Sequence, residues 1–294
     1  MANRRVLVKR RKAVRNIRKI TRTMQLIATA RFQAAFNRAV ATRPYTEKLA
    51  ELVADLSRAA GDVDHPLLKT HDEVPRSALV VLTSDRGLAG GYNGNVLRSA
   101  LGHLEQQAAR GITNDVHMVG KKGIAYFRFL RRPLSEQTSG IGDKPRFEQV
   151  EGIANDLMDR FVRGEIASAH VAYMKFLSAG QQRPVVVQLL PLKPEAVEGE
   201  DGTQAGPPAV EYEFSPDPRQ LLDELLPAVV RVRLFQAFND AAVSEQVARM
   251  VAMKAATDAA GDMIKALTRE YNRARQTQIT MELLDIVGGA NALS

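Results

Sequence analysis

With 294 residues and 45% hydrophobic content, the chain can bury a core in one large domain or two modest ones. No stretch carries the ~18 apolar residues of a membrane span, and the start lacks the apolar core of a secretory signal. The absence of cysteine removes disulfides and thiolate chemistry, and the expected compartment is the cytoplasm. The net charge of +8 is uneven: thirteen Arg or Lys and no acid lie between Met1 and Thr46, which leaves the rest of the chain at −5. Such an arm suits nucleic acid, anionic lipid or an acidic protein surface, and it also has the composition of an organelle transit peptide.

Spacing weakens the transit-peptide reading. Ala13, Ile17, Ile20, Met24 and Ile27 alternate at steps of four and three, which predicts one apolar stripe on a helix. Leu49, Leu52, Val53 and Leu56 resume it beyond Pro44, and Gly61 with "DVDHP" closes it. The pattern predicts one long helix over 1–60, bent at Pro44, lying either on a globular core or against a second helix.

The next segments change character. "SALVVLT" (77–83), "DVHMV" (115–119), "HVAYMKF" (170–176) and "PVVVQLL" (184–190) read as strands. Helical stretches around 96–110, 121–130 and 149–163 separate them, so a mostly parallel, Rossmann-like sheet with helices on its faces is expected. "SDRGLAGGYN" (84–93) leaves the first strand where a nucleotide-binding fold places its phosphate loop. It lacks the Lys and Ser/Thr of a P-loop, and Gly87, Gly90 and Gly91 do not fit G-x-G-x-x-G. A structural turn is the expected reading. His65, His71, His103, His117 and His170 fall singly, with no zinc-binding spacing, and no carboxylate pair stands out as acid and base. "EAVEGEDGTQAGPPA" (195–209) reads as an acidic loop before a strand-like "VEYEF".

The last segment opens with Asp217 as N-cap, Pro218 at the first helical position and Gln220 at the capping-box position. Leu234, Ala237, Ala241, Ser244, Ala248, Val251 and Ala255, then Ile264, Leu267, Tyr271 and Ala274, alternate at steps of three and four. That predicts a coiled-coil seam. Its many alanines bury little area each, so it needs a tight antiparallel partner, and the N-terminal helix is the candidate. Pro227 suggests a kink or a separate short helix at the start. The predicted organisation is an N-terminal coiled-coil helix over 1–60, an α/β domain over 75–214, and a C-terminal coiled-coil helix over 218–287.

Three segments then carry a family resemblance. "IRKITRTMQLIATAR", "SDRGLAGGYN" and "SEQVARMVAMKAATDAAGDMIKALTREYNRARQTQITMELLDIVGGANAL" resemble, in that order, the gamma subunit of F-type ATP synthases. The resemblance implies a rotor with no catalytic, cofactor or metal site. The two helices enter a ring of alpha and beta subunits, while the α/β insert forms a foot with the epsilon subunit on the c-subunit ring. It implies that Arg10, Arg11, Lys12, Arg15, Arg18, Lys19 and Arg22 face an acidic lever of beta, and that Met24 lies at the coupling position. Arg275, Gln276, Thr280 and Glu282 match residues that touch beta or brace the helices, and Arg86 is placed for contact from the glycine turn. Many relatives have cysteine where this chain has Ala89, and no plant-type cysteine insert is recognisable, which implies a bacterial subunit peripheral to the cytoplasmic face of the plasma membrane. "TARFQAAF" is more aromatic than the usual continuation of the first helix.

Two readings of other classes stand beside it. An α/β enzyme would bind nucleotide as the isolated chain. A nucleic-acid-binding protein would use the basic arm, with affinity falling steeply with salt, although the arm has no interleaved aromatics.

Overall fold

The computed structural model describes residues 4–60, 65–71, 73–192 and 218–292. The expected loop at 195–209, the strand at 210–214 and the cap at Asp217 lie outside the described residues. The chain forms two compact units, one of residues 1–30 with 249–294, the other of residues 31–248. We call them the coiled-coil unit and the α/β unit.

Helix α1 (Arg4–Ala60) is continuous through Pro44, and α5 (Pro218–Ala292) is continuous through Pro227. The expectation of a separate short helix before Pro227 is therefore corrected. A proline costs one backbone hydrogen bond and crowds the preceding turn. Here Leu222, Leu226, Val229 and Val230 are all buried in the core of the α/β unit, so packing on both sides of Pro227 holds the helix through that defect.

In the α/β unit, β1 (Arg76–Leu82), β2 (Thr113–Val119), β3 (Glu136–Thr138), β4 (Ser168–Ser178) and β5 (Gln181–Leu190) form one sheet in the order β3-β2-β1-β4-β5. The pairs β1–β2, β1–β4 and β2–β3 are parallel and β4–β5 is an antiparallel hairpin, so the expected mostly parallel sheet is what forms. Pro184 sits in β5, an edge strand, where its missing N–H is tolerated. Strand β3 has no counterpart among the predicted strands, since three residues, Glu-Gln-Thr, carry no apolar alternation.

The central strand shows how period two feeds two cores. Ala78, Val80 and Leu82 of β1 join one cluster, with α4 (Phe147–Val162) and the α1 and α5 segments of this unit. Leu79 and Val81 point the other way, into a cluster with Val96, Leu97, Ala100 and Leu104 of α2 (Tyr92–Ala109) and Phe127 of α3 (Lys121–Phe129). Helix α4 buries Val150, Ile153, Ala154, Leu157, Met158 and Phe161, the spacing of an amphipathic stripe. The unusually aromatic "TARFQAAF" has a local use: Phe32 and Phe36 stack with Phe176 at centroid distances of 6.3 and 5.8 Å, beside Val243 and Val247.

Candidate partner-binding faces

In the coiled-coil unit the helices run antiparallel. The Arg11 guanidinium lies 4.9 Å from the centroid of the Tyr271 ring. Arg18 crosses Gly261, where a Cβ would come within 3.7 Å of its Nε. The hydroxyls of Thr21 and Thr257 share a hydrogen bond of 2.8 Å. These pairings place the seam of α1 at Leu7, Arg11, Val14, Arg18, Thr21, Gln25 and Ala28, a strict alternation of four and three.

That seam corrects the sequence expectation. The predicted stripe of Ala13, Ile17, Ile20, Met24 and Ile27 lies one residue earlier, a rotation of about 100°. Ile20 is 59% exposed, Ile17 and Ile27 are half-exposed, and only Met24 is partly covered. The expectation followed the isoleucines, whereas the contact between the two helices is made by Leu7, Ala28, Met253, Ala260 and Leu267, by the threonine pair and by the guanidinium groups of Arg11 and Arg18. In α5 the expected Val251 is 55% exposed and Ala255 is exposed, while Met253, Thr257 and Ala260 are buried. An alanine-rich helix offers several faces at the same spacing, so the periodicity alone left the register undetermined there. From Ile264 through Leu267, Tyr271 and Ala274 the expected seam is the observed one.

The expected partner residues occupy distinct positions. Arg10, Lys12, Arg15, Lys19 and Arg22 are exposed on α1, and none forms an ion pair with a described side chain. Arg11 and Arg18 bring their guanidinium groups to the seam. On α5, Arg275, Gln276, Thr280 and Glu282 are exposed, with Thr280 Oγ1 donating to the Gln276 carbonyl at 2.9 Å and Gln278 Nε2 donating to Glu282 at 2.8 Å. Every residue from Arg275 to Gly288 is exposed, including Ile279, Leu283, Leu284, Ile286 and Val287. Large apolar side chains thus stand exposed among Thr280, Glu282 and Asp285 on this part of α5.

Arg86 belongs to the α/β unit, in the glycine turn that follows β1. That turn is wired internally. Asn93 Oδ1 accepts from the Ser84 backbone N–H at 2.9 Å, and Ser84 Oγ donates to the Arg86 carbonyl at 2.6 Å. The Asp85 carboxylate accepts from the N–H of Lys121 at 3.1 Å and of Gly140 at 2.9 Å. It thus fills the position at the start of α3 that a phosphate would take. Gly120 and Gly123 let α3 approach β1: a Cβ on Gly120, at φ +97°, would sit 2.2 Å from the Thr83 carbonyl oxygen, and one on Gly123 would sit 2.3 Å from Met118 Sδ. The cavity at this end of the sheet is about 40 Å³, with Ser84, Asp85, Phe238, Ala241 and Glu245 among its walls. Small-molecule sites occupy roughly 300–1,000 Å³, so this cavity is too small for a nucleotide, and its two carboxylates would repel phosphates.

Sequence reasoning did not single out Asp143. Its carboxylate takes an ion pair from Arg31 and a hydrogen bond of 2.7 Å from Gln246 Nε2, and its carbonyl accepts from Arg38 Nη2 at 2.7 Å. One loop residue thereby ties α1 and α5 within the α/β unit. An isolated aspartate in "SGIGDKP" carries no sequence signal of that role.

Comparison with known proteins bears on the same two helices and sheet. The ATP synthase family model (ATP-synt) matches residues 3–293. The chain is 45% identical to the ATP synthase gamma chain of Rhodopirellula baltica over 100% of this chain and 99% of that one. It is 40% identical to that of Leptospira biflexa over the full length of both. Among solved structures it is similar to a chain of the Euglena gracilis mitochondrial ATP synthase, OSCP/F1/c-ring, with TM-score 0.66 at 18% identity over 99% of this chain and 94% of that one. A chain of the rotor from the same organism gives TM-score 0.61 at 16% identity, over 94% and 98%. The chain belongs to the ATP synthase gamma chain family.

Proposed function

We propose that the chain is the central-stalk rotor subunit of an F-type ATP synthase, coupling ion-driven rotation of a c ring to conformational change at catalytic sites on the beta subunits. The observation that carries this reading is the coiled-coil unit itself. It pairs its helices through a thin seam and presents Ile17, Ile20, Leu26 and Ile27 on one helix, and apolar residues from Ile279 to Val287 on the other, to its surroundings. Apolar surface on that scale marks a binding face. Flanking it, Arg10, Arg15, Lys19 and Arg22 supply exposed positive charge suited to steering along an acidic partner.

The mechanism follows from shape and charge. An asymmetric rod turning inside a ring of like subunits presents a different face to each, and contacts that differ between conformations shift each subunit toward a different nucleotide affinity. This chain contributes the contacts; the chemistry belongs to beta. The alpha and beta ring, the epsilon subunit and the c ring are the partners, with the complex on the cytoplasmic face of a bacterial plasma membrane. Met24 and Arg86 serve the beta contact, with Arg275, Gln276, Thr280 and Glu282 at the far end of α5.

Mixing the purified chain with alpha and beta subunits tests the reading. A stable complex with one copy per ring and sustained ATP hydrolysis is expected. No assembly with correctly folded partners would overturn it. Arg275→Glu with Gln276→Ala is expected to uncouple hydrolysis while leaving the melting temperature of the chain unchanged.

A further inference from the structure

Helix α3 ends in a cluster that the packing of the α/β unit does not use. Between Lys121 and Arg132 the sequence carries Lys121, Lys122, Arg128, Arg131 and Arg132 and no acid. All five cations are exposed, and none forms an ion pair with a described side chain. Among them Phe129 is 79% exposed, more than any other large hydrophobic residue described, with Tyr126 and Leu130 also exposed, while Phe127 is buried and Ile124 packs against the same core.

Ordinary helix chemistry accounts for part of this. Cations at a helix C-terminus complement its dipole, which covers Arg128 and its neighbours. It does not cover Lys121 and Lys122, which sit in the first turn, where a positive charge is disfavoured. Nor does it cover a phenyl ring in water. The backbone adds an independent observation. Arg131 has φ +54°, its N–H bonds to the Arg128 carbonyl at 3.1 Å, and the Arg132 N–H bonds to the Phe127 carbonyl at 3.0 Å. This double closure usually has glycine at the left-handed position. An arginine held there against its own preference is the sort of local strain that accompanies a used side chain.

We propose that this end of α3 contacts anionic phospholipid, with Arg128, Arg131 and Arg132 meeting headgroup phosphates and Phe129 entering the headgroup boundary. The groove of about 620 Å³ along α2 and α3 is bordered by Lys122 and Tyr126 but by none of Phe129, Arg128, Arg131 or Arg132, so these four side chains stand clear of it. A projecting ring among charges of one sign fits a fluid anionic surface, to which each basic side chain adds attraction and the aromatic adds burial. The inference goes beyond the rotor reading and does not depend on it.

The chain has no tryptophan, so Phe129→Trp in the full-length protein gives a single reporter at an exposed site. The basic arm will itself hold the protein on anionic vesicles, so the readout is the indole rather than co-sedimentation alone. With vesicles of phosphatidylcholine containing about one-third phosphatidylglycerol, the expected result is a blue-shifted emission and an at least threefold drop in acrylamide quenching. Pure phosphatidylcholine is expected to give neither. Adding Arg128→Glu, Arg131→Glu and Arg132→Glu is expected to abolish the shift while co-sedimentation through the arm persists. An indole as quenchable on sedimented vesicles as in solution would overturn the proposal. So would a shift produced by polyglutamate and not by the vesicles, which would assign the surface to an acidic protein.

Discussion

The two units of this chain solve the same problem, holding long helices in place, by opposite means. The α/β unit buries large side chains completely, among them Phe127, Phe161, Leu79, Leu222 and Leu234. The coiled-coil unit buries Leu7, Thr21, Ala28, Met253, Thr257, Ala260 and Leu267, mostly small or polar, and leaves isoleucines outside. Burial at about 25 cal/mol per Å² of apolar surface makes the first unit the source of most of the folding free energy. The second depends on helix propensity and a narrow contact. The difference teaches that large apolar residues mark a core where the chain must stand alone, and an outward face where a partner completes it.

The largest break in that comparison comes from removing a core anchor. Phe161→Ala, at a fully buried position whose ring meets His71 edge-on at 4.8 Å, is expected to cost about 3–5 kcal/mol. The measurement is urea denaturation followed by circular dichroism. Next is Gly120→Ala. The added Cβ would meet backbone atoms of Thr83 that cannot step aside, an overpacking cost of about 1–3 kcal/mol, to which the left-handed backbone adds roughly 1. Asp143→Ala leaves Arg31 and Gln246 without their carboxylate and is expected to cost about 1–3 kcal/mol. A loss below about 0.5 kcal/mol would show that this loop does not brace α1 and α5.

Acid should separate the units without mutation. All five histidines lie in residues 31–248. Burial holds His65, His103 and His117 below the ordinary histidine range; Asp223 opposes it at His65, Glu136 and Asp156 oppose it at His117, and Arg110 reinforces it at His103. His65 Nδ1 accepts the Leu67 N–H at 3.0 Å, which requires that nitrogen to be unprotonated. The unfolded chain therefore takes up protons first as pH falls below about 6.5, so stability is full above that value and declines below it toward the folded-state values. Hydrogen exchange at pH 7.5 and 5.5, corrected for intrinsic rates, should show protection lost in β1 and α4 and retained around Thr257. Equal loss in both units would contradict this.

The parallel sheet and helix α4 were legible from sequence because their signals are redundant. In β1 an apolar run ends at a turn, and in α4 a stripe from Val150 to Phe161 repeats over three turns, so neither element depends on one residue. Strand β3 was not legible, because its pairing with β2 is made by backbone and by His117, whose ring nitrogens meet Glu136 at 3.1 Å and Thr138 at 2.8 Å. The two glycines before and within α3 carry no sequence signal of their role, because Thr83, whose atoms a Cβ on either would meet, is distant in sequence. In the coiled-coil unit, existence and pairing of the helices were legible but the face was not. Hydrophobicity cannot tell an inward isoleucine from one awaiting a partner.

That ambiguity makes the smallest stability effect the sharpest test. Replacing both Ile17 and Ile20 with serine removes apolar surface that already faces outward, so the isolated chain should change by no more than about 0.5 kcal/mol. Serine and isoleucine have similar helix propensities, so the backbone contributes no more than a few tenths of a kcal/mol over the two positions. Replacing Leu267, in the seam, with serine should instead cost about 2 kcal/mol or more, since it exposes its partner's contact and buries a hydroxyl. If the isoleucine pair proves the more destabilising, the observed seam is wrong and the predicted stripe is the true contact. If it is silent in the isolated chain yet weakens assembly with alpha and beta subunits, the outward stripe is the surface through which the rod meets its ring.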